Sequence, residues 1–433
     1  MYRTSINKLK EWKLDKNRKP LVFLGARQVG KTWLAKTFGK EEYKKTVYIN
    51  FEFETDLQNV FLKTLDPKRL ILEFELYSNI TISPEDTLII LDEIQAAPKG
   101  ITSLKYFQEN APEYHVIAAG SMLGIQIHPG ESFPVGKVDF LTLNPMSFYE
   151  FLLALNETGL TRIIDEKLWD ILDTFASKFS EMLRYYLYVG GMPEAVAAFA
   201  VKRDWKAVRS IQKKILQSYE NDFTKYAPKE VFPRIKMVWD SIPIQLGKEN
   251  KKFIYGVIKE GARAKDFEVA IQWLVDSGLL HKVHNLTKPG LPLNMYKELS
   301  AFKLYHNDVG LLGAMADIKA KTIIQGDTLF TECKGALTEQ YVFQELRLNE
   351  ELAINYYTFE KSKYEVDFII QNAEDEVIPI EVKSGENLRA TSFKLFCERY
   401  KPQTAIRTSL SNYRKEIWMT NVPLYIVGNY FNE

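Results

Sequence analysis

The alternation of apolar and polar positions changes character along the chain. Up to about residue 150, short apolar runs alternate with helical stretches. Pro20-Leu21-Val22-Phe23-Leu24 and Leu88-Ile89-Ile90-Leu91 are two such runs, and residues 46–51 and 114–121 repeat the pattern. Runs this short and this apolar suit strands covered on both faces, as in the parallel sheet of an α/β fold. After the first run, Trp33-Leu34-Ala35-Lys36-Thr37-Phe38 begins a helical period that Gly39 is expected to end. From 150 to 225 the period is helical, interrupted at Gly190-Gly191-Met192-Pro193, a helix stop followed by a helix start. Residues 232–286 read as three helices and a strand, the order of a helix–turn–helix with a β-wing. Farther on, residues 334–346 form an amphipathic helix, 364–370 and 377–385 alternate as strands, and 392–400 are helical again.

Composition narrows the class. The 433 residues are enough for several domains, and 46% hydrophobic content supports real cores. A net charge of +1 means that any nucleic-acid surface must be a local patch. Cys333 and Cys397 form no C-x-x-C pair, and the five histidines form no metal-binding motif, which argues against zinc and a disulfide framework. There is no apolar signal core and no run of membrane-spanning length, so a soluble cytoplasmic protein with no membrane partner is expected.

Candidate chemistry begins at the end of the first strand. Gly25-Ala26-Arg27-Gln28-Val29-Gly30-Lys31-Thr32 is a Walker A loop, G-x-x-x-x-G-K-T, between a strand and a helix. Its glycines let backbone N–H groups cradle phosphates at a helix N-terminus. Lys31 reaches the β- and γ-phosphates, and Thr32 can ligate Mg²⁺. With Trp33, these residues make the expected nucleotide-binding stretch. Asp92-Glu93 ends an apolar strand in the manner of Walker B. Asp92 is expected to hold Mg²⁺ and Glu93 to polarise the attacking water. ATP and Mg²⁺ are therefore the expected cofactors. Ser121 follows another strand, at the end where open α/β sheets bind ligands. It reads equally as a γ-phosphate sensor and as a turn residue.

The Walker A loop, residues 88–93, the strand ending Gly120-Ser121 and Leu143-Asn144-Pro145-Met146-Ser147-Phe148-Tyr149-Glu150-Phe151-Leu152 together resemble a bacterial and archaeal AAA+-type ATPase family. Its members usually carry a C-terminal domain of unknown function. The resemblance implies that Gly191 and Pro193 belong to a helical lid segment that approaches nucleotide; read locally, they make a tight interhelical turn. Members often have Gly-Arg before the L-x-P-x-S-F-x-E-F segment, where this chain has Gly136-Lys137. Lysine replaces a planar fork with a point charge, which puts an arginine finger in doubt and leaves the oligomeric state open. Residues 218–223 and 301–311 also match the family, with no chemistry assigned to them.

Around the β-wing pattern lie Lys248, Lys251, Lys252, Lys259, Arg263 and Lys265, read either as contacts to a DNA backbone or as a solvated face. In the C-terminal region Asp367 lies on one strand, and Glu381 and Lys383 share a face of the next. This D…E-x-K set resembles the PD-(D/E)xK nuclease fold, with Val366 where the motif name has proline. The resemblance implies a metal held by Asp367 and Glu381, with Glu339 as the extra acidic position and Lys383 supporting the nucleophile. Members of that fold include active nucleases and inactive relatives. The expected organisation is thus a P-loop AAA+-like core of parallel sheet over 1–150, a helical lid over 151–225, a winged-helix module over 226–290 and an α/β restriction-endonuclease-like domain over 291–433. The expected function is an ATPase controlling a region that acts on DNA or RNA, or an ATP-gated regulator whose nuclease fold is inactive.

Overall fold

The computed structural model describes residues 2–120, 134–248, 251–325, 328–359, 364–385 and 391–431. The chain divides into two compact units. One comprises Arg3–Asn144 and Asp276–Gly278; the other comprises Met1–Tyr2, Pro145–Val275 and Leu279–Glu433.

The first unit is built on strands β1 (Leu21–Leu24), β2 (Lys45–Asn50), β3 (Thr87–Asp92), β4 (His115–Ala119) and β5 (Asp139–Thr142). They form one sheet in the order β2-β3-β4-β1-β5, every pair parallel. β3 and β4 are buried along their whole length, which is why their sequences are unbroken apolar runs. Ile89, Leu91, Val47 and Ile49 face helical residues Leu70, Phe74, Leu104 and Phe107 in one core. β5 pairs along the edge of the sheet beside β1 and carries too little apolar pattern to be read in advance.

Gly39 does not end the helix after β1, which spans Lys31–Glu42. A Cβ at Gly39 would lie 2.6 Å from Thr46 Oγ1 and 2.9 Å from Thr46 Cγ2. Glycine is there so that the helix can approach β2, and close packing outweighs its poor helix propensity.

The second unit holds a helical layer and an eight-stranded mixed sheet. Its strands are β6 (Leu280–Leu286), β7 (Lys297–His306), β8 (Ala353–Thr358), β9 (Glu365–Gln371), β10 (Val377–Val382), β11 (Ile406–Ser409), β12 (Arg414–Lys415) and β13 (Thr420–Pro423), in the order β12-β13-β11-β10-β9-β8-β6-β7. The expected wing, β6, pairs antiparallel with β7 and parallel with β8. The boundary expected at 290/291 therefore falls within a hairpin whose two strands share one sheet with the D…E-x-K strands.

Helices Ala176–Val189, Pro193–Lys202 and Trp205–Tyr226 supply the segment expected as a lid. Tyr186 in the first of them, and Phe148 ahead of them, share a buried polar network with the helix Thr328–Leu346. Gln344 donates to the Tyr186 hydroxyl at 2.7 Å, and Glu345 accepts the Phe148 N–H at 2.9 Å. The rings of Phe179 and Tyr425 stack with centroids 4.7 Å apart. Buried groups of this kind must be satisfied, so the partners are specified jointly. Among the described residues no helix is long and apolar enough to cross a membrane.

Candidate functional site

The phosphate loop takes its shape from residues that tolerate positive φ. Gly25 has φ +121°, Gln28 +66° and Gly30 +97°. A Cβ on Gly25 would sit 2.2 Å from the Leu143 carbonyl oxygen, so the loop is pressed against the chain leaving β5. Gly30 precedes the first turn of helix Lys31–Glu42, whose free N–H groups are the anion-binding end. Arg3 braces the loop from outside: its guanidinium donates to the carbonyls of Val29 at 2.7 Å and Asn144 at 2.6 Å. Lys31 is buried and donates to the carbonyls of Gly25 at 2.7 Å and Ala26 at 2.8 Å. Burial lowers its pKa to about 8, although Glu93 and Asp92 partly offset this. Arg27 reaches Glu52 at 3.7 Å, and Trp33 lies 42% exposed.

The Walker B carboxylate meets this loop. Asp92 Oδ2 accepts from the Thr32 hydroxyl at 2.9 Å and from the Tyr48 hydroxyl at 2.8 Å. β4 stands between β1 and β3, so this contact spans the carboxyl end of the sheet, where such folds bind ligands. Tyr48 is held above its usual range, at about 12, mainly by burial, and the Lys36 ammonium lies 3.4 Å from its ring centroid. Glu93 has φ +50°, uncommon for a residue with a Cβ, and its carboxylate accepts from the Gln95 amide. Thr32 and Asp92, adjacent and carrying oxygen ligands, fit a hard cation such as Mg²⁺.

The other expected nucleotide contacts are Ser121, Gly191 and Pro193. Ser121 is outside the described residues. Lys137 forms an ion pair with Glu109 at 2.9 Å. Gly191 and Pro193 form the turn between two helices. The Gly191 N–H donates to Asp308 Oδ2 at 2.6 Å, and a Cβ there would lie 2.1 Å from the Met146 carbonyl. Asp308 also caps the helix Val309–Met315 through the Leu311 N–H at 2.9 Å. This interlock gives residues 301–311 a structural role that their sequence did not suggest.

In the second unit, the acidic residues expected to bind metal do converge, but lysines meet them there. Lys303, wholly buried on β7, lies 3.0 Å from Glu339 and 2.5 Å from Glu365. Lys251 and the Tyr305 hydroxyl also bond Glu339. Asp367 Oδ2 accepts the Val382 N–H at 2.8 Å, and Glu381 pairs with Lys383 at 2.7 Å, although Lys383 lies one residue past the end of β10. Burial works against ionisation of Glu339, but Lys251 and Lys303 outweigh it and hold the group at about 2. Asp367 is pushed well up by burial and by the adjacent charges of Glu381 and Glu339. Lys251 is thus turned inward from the basic group around the wing, while Lys252, Lys259, Arg263 and Lys265 are exposed.

These carboxylates do not fit the expected metal site. Among the described residues, no group of three His, Cys, Asp or Glu side chains is arranged to hold a metal ion. Glu339 is committed to two ammonium groups and a phenol, although one buried oxygen of Glu381 has no hydrogen-bond partner. Sequence reasoning missed Lys303 and Tyr305 in this cluster, and Tyr48, Gln95 and Arg3 around the phosphate loop. A signal existed for Lys303: a lysine within the run Ala301-Phe302-Lys303-Leu304-Tyr305-His306 requires a counter-charge if the strand is buried on both faces.

Comparisons agree with the first site. Residues 17–152 match the model of an AAA domain. Residues 180–322 and 334–426 match two domains of unknown function, DUF8612 and DUF4143. No curated protein matches the chain. Among solved structures, the chain is similar to the Walker-type ATPase PABY2304 of Pyrococcus abyssi, at 14% identity and TM-score 0.46, covering 73% of this chain and 95% of that one. It is also similar to the Aeropyrum pernix ORC1 protein solved in complex with DNA, at 14% identity and TM-score 0.30, covering 73% and 93%. A third is AMPPCP-bound DnaA from Aquifex aeolicus, at 16% identity and TM-score 0.27, covering 63% and 86%. All three likenesses are too distant to carry an argument about this chain. The parallel sheet, the Gly25–Thr32 loop meeting Asp92, and the matched segment make residues 17–152 a P-loop domain of the AAA type.

Proposed function

We propose that this protein is a Mg²⁺-dependent ATPase whose nucleotide state controls its winged-helix and nuclease-like region, which acts on DNA or RNA. The observation that carries the ATPase part is the Thr32–Asp92 hydrogen bond, because it joins both Walker elements in one place. When bound there, Mg²⁺ would be held by Thr32 and Asp92 and would neutralise charge on the phosphates. The N–H groups of residues 25–33 would bind the phosphates, and Lys31 would exchange its carbonyl partners for phosphate oxygens. Glu93 would orient and deprotonate water once released from Gln95. Ser121, Gly191 and Pro193 are proposed as positions that sense the nucleotide. Phosphate release by the wild type, Lys31→Ala and Glu93→Gln tests the assignment. Normal binding and turnover by Lys31→Ala would overturn it.

For the output there are two readings. In the first, Asp367, Glu381 and Lys383 cleave nucleic acid. In the second, the chain is an ATP-gated DNA- or protein-binding regulator with an inactive nuclease fold. The commitment of Glu339 to Lys251 and Lys303 favours the second. Incubation with Mg²⁺ or Mn²⁺ and varied DNA and RNA separates them. Cleavage abolished by Asp367→Ala and Lys383→Ala would restore the first reading, and salt-sensitive binding without cleavage supports the second.

A further inference from the structure

We propose that Lys303 is the resident cation of the D…E-x-K cluster, its ammonium supplying beside Glu339 and Glu365 the positive charge that a divalent metal would otherwise bring. The inference rests on the second reading above and supplies its physical cause. Four carboxylates, Glu339, Glu365, Asp367 and Glu381, meet three ammonium groups, Lys251, Lys303 and Lys383. A divalent ion needs carboxylate oxygens with uncompensated negative charge, and its own charge dominates any site it enters. Here both oxygens of Glu339, the extra acidic position, are already taken by groups belonging to the chain.

The placement of Lys303 is built rather than incidental. It lies on β7, outside the motif strands, with no solvent exposure of its side chain. Its ammonium bonds Glu339 on the helix Thr328–Leu346 and Glu365 on β9, and lies 4.8 Å from the Tyr356 ring centroid. Tyr305, two residues along the same strand face, donates to the Glu339 oxygen that Lys303 also contacts. A buried lysine persists only when paired and hydrogen-bonded, and these partners provide that. Lys251 takes the other Glu339 oxygen, so neither oxygen of that carboxylate is open to a metal.

Mn²⁺ binding to the full-length protein, measured without nucleotide by electron paramagnetic resonance, tests the proposal. Wild type and Asp367→Asn should bind Mn²⁺ equally, because the cluster takes none. The double variant Lys303→Met with Glu365→Gln removes the cation and one carboxylate and leaves Glu339, Asp367 and Glu381. It should gain a Mn²⁺ equivalent at least about tenfold tighter than any in the wild type, a change of the size that alterations beside metal ligands produce. Adding Asp367→Asn should abolish it. A wild-type Mn²⁺ site that Asp367→Asn removes would overturn the proposal, and so would a folded double variant that gains no site. If the double variant does not fold, the comparison of wild type with Asp367→Asn still decides. Failure here leaves the regulator reading to be judged separately by the cleavage assay.

Discussion

The Thr32 hydroxyl donates to the carboxylate of Asp92 across 2.9 Å, joining residues sixty positions apart in the chain. Through this contact the phosphate loop and the Walker B strand become one site. Tyr48 donates to the same carboxylate oxygen at 2.8 Å and so fixes its direction.

Removing the loop lysine should sharply reduce the activity. Lys31→Ala is expected to lower ATP turnover by on the order of 100-fold or more, the scale of losing one preorganised charge at a transferring group. Glu93→Gln should keep ATP binding and lower turnover by ~10²–10⁴-fold, the contribution of a positioned general base. Phosphate-release kinetics and equilibrium binding of a labelled nucleotide distinguish the two effects.

ATP binding should take up a proton near pH 8. Burial holds Lys31 at about 8, so a substantial fraction is neutral at that pH. Phosphates arriving beside it favour the ammonium, raise its pKa and draw a proton from solution. Calorimetric titrations at pH 8 in buffers of different ionisation enthalpy measure the uptake. The uptake should fall toward zero at pH 6, where Lys31 is already charged, and should be absent in Lys31→Ala.

Tyr48→Phe should weaken the metal affinity of the site without dismantling it. The phenol donates to Asp92 and so orients it, whereas the Gly25 carbonyl of the loop is held by Lys31. Losing such a supporting hydrogen bond should raise the Mg²⁺ concentration needed for half-maximal turnover by about tenfold. A Mg²⁺ titration of steady-state ATPase rate checks this, and an unchanged half-point would show that Asp92 is oriented by Thr32 alone.

Two glycine substitutions should act in opposite directions. Gly39→Ala should destabilise by ~1–3 kcal/mol, because its Cβ would meet Thr46 and overpacking outweighs the gain in helix propensity. Gly159→Ala, in the helix Thr158–Asp165 and with open space around it, should stabilise by ~0.5–1 kcal/mol. Urea unfolding of both variants provides the comparison.

Glu345 should give the protein a falling stability from acid toward neutral pH. Burial raises this carboxyl to about 8, despite the Phe148 N–H bonded to it, and Glu150 adds to the shift. Its folded pKa exceeds its unfolded value, so the folded state holds the extra proton between about 4.5 and 8. That contribution is complete below the unfolded pKa and is lost as pH rises through the folded one. Glu345→Gln should flatten the profile in this window. The difference between the two melting-temperature curves isolates the group from other carboxylates, many of which act with the opposite sign.

The candidate phosphate loop was largely legible in the chain because the determinants of its shape are local. Gly25 and Gly30 supply positive φ, Lys31 and Thr32 follow at fixed spacing, and the apolar runs of β1 and β3 announce strands buried on both faces. Each can be read within a few residues of itself. The edge strand β5 carried too weak a pattern, and Gly39 was misread because a glycine that permits close packing looks in sequence like one that stops a helix.

The tertiary structure decided what the C-terminal motif becomes. The resemblance of Asp367, Glu381 and Lys383 to a nuclease motif implied a metal site, and Glu381 and Lys383 do form an ion pair, although β10 ends one residue before Lys383. Whether carboxylates hold a metal depends on every charge that reaches them, and Lys303 and Lys251 come from strand and loop segments far from the motif. The same holds for Gly191, whose N–H finds its acceptor in Asp308, 117 residues away. Backbone shape and periodicity are short-range properties that a linear chain records. Charge compensation and hydrogen-bond satisfaction in a buried site involve partners from anywhere in the chain, and only the fold selects them.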